Sequence, residues 1–170
     1  MTDRVQDRFQ VNVLKLGQLI LNCVIIGKPG NSGLPEPTDL QIALDGIKMA
    51  KSETVIELFF ERSYPYWENL YHKQKDVLIS SISKIMPEIS SEKVSIFNLL
   101  FTAKNKDGKV IIDDTILESI WLYFHQMVRQ CLIYGLEKAG NNDTFIIGKL
   151  KLSKSSILAD KIRWDALKKN

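Results

Sequence analysis

"IWLYFHQMVRQCLIYG", residues 120–135, sets a histidine, an arginine and a cysteine inside a run that is otherwise almost wholly apolar. Read as an active site it would make the chain an enzyme. Read as the middle of a core helix it makes the chain a helical bundle. The flanks favour the helix. Upstream, "DDTILE" places Asp113 and Asp114 where the positive end of the peptide dipoles welcomes carboxylates, and Thr115 with Glu118 has capping-box spacing. Downstream, "GNN" after Ala139 supplies a left-handed stop. Between them no single stripe contains Ile116, Ile120, Trp121, Phe124, Val128, Cys131, Leu132 and Tyr134. A helix apolar around most of its circumference must be covered on several sides. The segment from about Thr115 to Ala139 is therefore expected at the centre of the fold.

Glu118, His125 and Arg129 form the polar seam of that helix. Glu118 and His125 lie nearly two turns apart, too far for a direct catalytic hydrogen bond, and Cys131 is turned to a different face from His125. Arg129, one turn from His125, disfavours a second positive charge on the imidazole. No reaction follows from this set.

The remaining chain reads as further helices. "VNVLKLGQLILNCVII", Val11 to Ile26, is interrupted by Asn12, Lys15, Gln18 and Asn22, so it reads as a core helix and not as a membrane span. "GKPGNSGLPEP", residues 27–37, carries three glycines and three prolines and is a linker, without the ending of a phosphate-binding loop. Thr38 or Asp39 can cap the next helix, and another follows Ser52. Pro65 then imposes a bend, after which Trp67, Leu70 and Tyr71 and then Val77, Leu78, Ile82 and Ile85 continue an amphipathic pattern up to Pro87. Ser90 or Ser91 begins a helix with Val94, Phe97, Leu100 and Phe101. "DTFIIGKLKLSKSS" alternates weakly and can be extended, and Ser155 or Ser156 caps a terminal helix bearing Ile157, Leu158, Ile162, Trp164 and Leu167. The predicted fold is all-α, a compact bundle of six to eight helices around one long central helix. The 170 residues form a single domain with a basic C-terminal segment, residues 148–170.

Chemistry-bearing residues are sparse. Two histidines and two cysteines, with no close pair of either, do not assemble an ordinary zinc site. Cys23 and Cys131 read as small buried hydrophobes, and a disulfide between them is open but nothing in the sequence supports it. Glu57, Glu61 and Glu68 could approach a hard cation but read better as a solvated helix face. "AKNKDGKVIIDD" places Asn105, Asp107, Gly108 and Asp114 as in a calcium loop, yet Ala103 stands at the first ligand position, so a plain turn is expected. No cofactor is expected, and the chain is read as non-enzymatic.

The net charge of +3 is uneven: from Lys149 to Asn170 there are seven basic residues against two acidic ones, and the rest of the chain is slightly acidic. Lys149, Lys151, Lys154, Lys161, Arg163, Lys168 and Lys169 are the residues a nucleic acid would use, a reading weakened by the absence of any recognised binding pattern. The favoured reading is a protein-interaction or structural module, bound to a partner protein or to further copies of itself. Its expected anchors are Tyr64, Tyr66, Trp67 and Tyr71 together with Arg163 and Trp164 near the C-terminus. Trp164 has two roles open to it, docking on the bundle or anchoring a partner. No signal segment or membrane association is expected, and the expected location is cytoplasmic.

Three stretches, "SYPYWENLYHKQKDVLI", "MPEISSEKVSIFNLLFTAKNKDGKVI" and "ESIWLYFHQMVRQCLIYGLEKAG", resemble segments of small, mostly uncharacterised helical proteins encoded by nucleocytoplasmic large DNA viruses. The resemblance spans about residues 55–139 and rests on the order of aromatic and turn residues. It implies an intracellular viral protein associated with the particle or its assembly, and it carries over no functional residue.

Overall fold

The computed structural model describes residues 4–31, 33–87 and 96–167. Helix α1 (Val5–Gly27) is followed by a 3-10 turn at Lys28–Gly30, then α2 (Pro37–Met49) and α3 (Ser52–Ser63). A second 3-10 turn at Tyr64–Tyr66 leads into the short α4 (Trp67–Tyr71), then α5 (Lys75–Ile85) and α6 (Ile96–Thr102). The long α7 (Asp114–Ala139) precedes a hairpin of β1 (Thr144–Ile147) and β2 (Leu150–Ser153), which leads directly into α8 (Lys154–Ala166). The bundle is built around α7 as the sequence predicts, and the weakly alternating stretch after α7 is extended, forming the hairpin that the all-α reading did not include.

Helix α7 has 26 residues, roughly 39 Å at ~1.5 Å per residue. It packs against α1, α3, α4, α8 and β1. Ile120, Trp121, Phe124, Met127, Val128, Cys131, Leu132 and Tyr134 are all buried. Its start differs in detail from the expectation. Asp113, not Thr115, is the N-cap, its carboxylate accepting from the Ile116 amide at 2.9 Å. Glu118 points away instead and pairs with Lys73 at 2.9 Å. The stop is Gly140, whose φ of +55° is open to glycine at little cost.

Helix α1 lays Phe9, Val13, Leu16, Ile20 and Val24, one or another every turn, onto its neighbours and leaves Lys15, Gln18 and Asn22 outside. By length and composition it could cross a bilayer, but in this fold that apolar face meets α2, α3 and α7. Gly17 is what lets α2 approach, since a Cβ there would overlap the Leu44 side chain.

Several boundaries shift for local reasons. Helix α2 starts at Pro37, whose ring suits the first helical position and which needs no donor, so neither Thr38 nor Asp39 caps it. The pattern from Trp67 to Ile85 is interrupted: Lys73 adopts φ +53°, and Asn69 hydrogen-bonds the Gln74 side chain across the break at 2.7 Å. Ser153 caps α8 by accepting from the Ser156 amide at 3.1 Å, two or three residues before the serines expected to do so. The start predicted at Ser90 or Ser91, with Val94, lies outside the described residues. Strands β1 and β2 are antiparallel with Phe145 opposite Leu152, and Phe145 and Ile147 turn inward while Ile146 faces solvent.

Candidate interaction surfaces

The polar residues of α7 are fasteners within the bundle. His125 is 3% exposed and donates from Nε2 to the Leu70 carbonyl at 2.8 Å, closing the end of α4, while its ring meets Trp164 edge-on at 5.3 Å. Burial holds its pKa below the usual imidazole value, with Lys73 and Arg129 adding to the effect. Gln130 receives the Asn12 amide of α1 at 3.1 Å. Cys131 is fully buried and its thiol pKa is raised accordingly; Cys23 is pushed up to about 11, and neither is in a disulfide. Burial favours the protonated Cys131 thiol, and the His125 Nε2–H is committed to the Leu70 carbonyl. The other histidine, His72, lies at the surface beside Glu68 at 3.1 Å.

The aromatic residues expected to anchor a partner are brought together, but the fold uses most of them itself. Trp164 is 2% exposed and sits against Trp67, Tyr71 and His125 at centroid distances of 6.5, 5.3 and 5.3 Å. Trp67 is buried too, its indole N–H donating to Ser63 Oγ at 2.8 Å and its ring packed on Phe60 at 5.1 Å. Of the two roles open to Trp164, docking on the bundle is the one the fold adopts. Neither indole is an exposed anchor, because each supplies part of the other's apolar cover. Tyr64, Tyr66 and Tyr71 remain half-buried.

Arg163 closes this region from outside. Its guanidinium lies 3.8 Å over the Tyr71 ring and forks onto both oxygens of Glu68 at 2.6 Å. That pairing draws the Glu68 carboxyl down to about 2 and raises Arg163 in turn. The shallow cleft beside it, about 250 Å³, is lined by Tyr64, Pro65 and Asp160 among others. Burial raises Asp160, against the opposing pull of Arg163, and burial with the nearby Asp160 raises Tyr64. The guanidinium of this cleft is already matched inside the chain.

The basic segment is likewise partly committed. Lys154 donates to the Gly140 carbonyl and so satisfies the end of α7, Lys161 pairs with Asp165 at 2.6 Å, and Arg163 holds Glu68. Lys149 and Lys151 are exposed on the hairpin. Lys168 and Lys169 lie outside the described residues. The carboxylates considered for a cation are dispersed: Glu57 accepts from the Tyr134 hydroxyl, Glu61 lies against Gly148, and Glu68 belongs to Arg163. Among the described residues no group of three metal-ligating side chains occurs. In the former calcium-loop candidate, Asn105 Oδ1 accepts the Asp107 and Lys109 amides at 2.9 and 3.1 Å, and Lys104 bridges Val110, which makes a plain hydrogen-bonded turn.

Two surface features were not read from the sequence. One is a mainly apolar groove of about 330 Å³ lined by Ala43, Gly46 and Ala50 on the α2 side and by Val55, Leu58 and Arg62 of α3, together with Met86. Ile42 and Met49 stand beside it on α2, 69% and 87% exposed. Their one signal in the sequence is that they fall off the buried stripe of Leu40, Leu44 and Ile47. The other is a cleft of about 480 Å³ between α1 and α7, lined in part by Asn12, Tyr123 and Arg129. No protein-family model matches the chain, and no curated protein or solved structure matches it either.

Proposed function

We propose that this chain is a non-enzymatic helical module that holds a partner protein, and that the α2–α3 groove is the holding surface. The observation that carries the reading is the open, mainly apolar trough, with the exposed Ile42 and Met49 next in sequence to its lining residues Ala43 and Ala50, while Trp67 and Trp164 are used internally. Scattered exposed apolar residues are ordinary, whereas a concave apolar strip rimmed by such residues suits the apolar face of an amphipathic helix. An exposed methionine next to the lining residue Ala50 suits a surface that must adapt to its ligand. The packing of His125 and Cys131 as core material supports the absence of catalysis. An intracellular setting in viral particle assembly is the context that the sequence resemblance suggests. Phosphate binding by the basic segment has less support, since Lys154, Lys161 and Arg163 are already engaged within the chain.

The test is a photo-crosslinking residue at Met49, compared with one at Lys151 on the hairpin. The groove reading expects a discrete partner adduct at Met49 that Gly46→Leu abolishes, because Gly46 lines the trough and a Cβ there meets nothing within 4 Å, so a larger side chain is directed into open space. Gly46→Leu should leave the thermal midpoint equal or higher, since glycine is a poor helix former. Unchanged adducts in the folded Gly46→Leu variant would remove the assignment. Light scattering shows whether the partner is a second copy.

A further inference from the structure

Arg129 is 7% exposed, yet its guanidinium meets only neutral oxygens. Nε and Nη2 donate to Gln126 Oε1 at 3.3 and 3.0 Å, and Nη1 donates to the Trp164 carbonyl at 3.4 Å. Among the described residues no carboxylate stands within ion-pair distance of it. Asp165, the acidic group that acts on it, is held by Lys161 at 2.6 Å. A desolvated positive charge is expensive unless an anion matches it, and three hydrogen bonds leave two of the five guanidinium N–H groups to be used.

The same side chain lines the cleft between α1 and α7. On α7 the lining residues Ser119, Leu122, Tyr123 and Gln126 recur at i, i+3, i+4 and i+7, so they form one continuous face leading to Arg129. The Tyr123 hydroxyl and the Gln126 amide nitrogen have no other hydrogen-bond partner among the described residues, whereas Asn12 on the α1 side is oriented by Gln130. Leu19 and the 56%-exposed Leu122 supply apolar walls. Neutral donors and a buried guanidinium lining one cleft of small-molecule size with apolar sides are the parts of an anion site.

We propose that this cleft binds a small monocarboxylate with an apolar body, its carboxylate on Arg129 and the Gln126 and Tyr123 donors, its body between Leu19 and Leu122. A planar guanidinium fork matches a carboxylate, and one buried cation balances one negative charge, which a phosphate dianion would exceed. The site is separate from the α2–α3 groove and does not depend on it.

Octanoate, octanol and octyl phosphate, titrated into the full chain at neutral pH, test this. Methyl resonances of Leu19 and Leu122 and the Arg129 Nε–H resonance are the readouts. Octanoate is expected to move all three and to bind about tenfold or more tightly than octanol. Arg129→Gln should weaken octanoate about tenfold, one decade in the dissociation constant. Because Arg129 also holds the end of α8, Leu122→Glu serves as the variant on an exposed position: it should repel octanoate while leaving the thermal midpoint unchanged. Absence of shifts up to about 10 mM octanoate overturns the proposal. So does equal binding of octanol, tighter binding of octyl phosphate, or octanoate binding indifferent to both substitutions.

Discussion

Helices α7 and α8 lie side by side, yet they hold their places by different means. Helix α7 is covered on almost every side, and its polar residues bond inward to neighbours: His125 to α4, Gln130 to α1, Arg129 to the end of α8. Helix α8 buries only Ile157 and Trp164 and holds on at its rim through Arg163 and Glu68. A core helix with a polar seam loses stability everywhere when disturbed. A peripheral helix with one aromatic anchor can come loose by itself. The contrast explains why a histidine, an arginine and a cysteine in one helix need not make an active site.

Four measurements would break or sharpen that contrast. The largest effect is expected from Phe124→Ala on α7, where a ring stacked on Phe59 at 6.4 Å leaves a void: about 4 kcal/mol in urea unfolding, with protection against hydrogen exchange lost throughout the bundle. Trp164→Ala should cost about 3 kcal/mol and strip protection chiefly from α8 and the hairpin. If both variants lose protection uniformly, the two helices do not differ as described.

The third measurement concerns the joint between them. The His125 pKa is lowered in the fold, so below pH ~6.5 the unfolded chain takes up a proton that the folded chain refuses. Stability is retained above that value and declines as the pH falls through it, by at most about 1.4 kcal/mol per pH unit, until the folded-state pKa is passed. His125→Gln should remove that slope in pH-dependent unfolding while leaving the carboxylate transitions at lower pH. The smallest change is expected from Glu68→Gln. The Glu68–Arg163 pair is exposed, and such pairs contribute little, so the unfolding midpoint should barely move and the signal is a faster exchange of the last turn of α8. Its pH counterpart runs from the ordinary glutamate range down to about 2, where the carboxylate is protonated and the pair is lost.

Much of the fold was legible in particular residues. The all-round apolar pattern after Asp113 placed α7 at the centre, Gly140 ended it, and Pro65 produced the bend. The caps of α7 and α8 were each read two or three residues late, because several serines, threonines and aspartates at a helix start can all accept an amide and only the chain's path selects one. The break at Lys73 was missed because a lysine at positive φ leaves no compositional mark.

The site residues were harder. Trp67 and Trp164 were recognised as large aromatic groups near one another in role, but whether an indole meets solvent or a neighbouring indole depends on how α8 returns to α4, nearly a hundred residues away. The same holds for Arg163, whose partner Glu68 is 95 positions distant, and for the two clefts, which lie between helices. Linear periodicity determined that the chain would be helical, which segment must lie at its centre, and that familiar catalytic spacings are missing. Only the tertiary structure decided which aromatic rings are used up, which charges are matched and that Arg129 has no anion beside it among the described residues. Burial and pairing are properties of opposed surfaces, and a single strip of sequence specifies just one side of each.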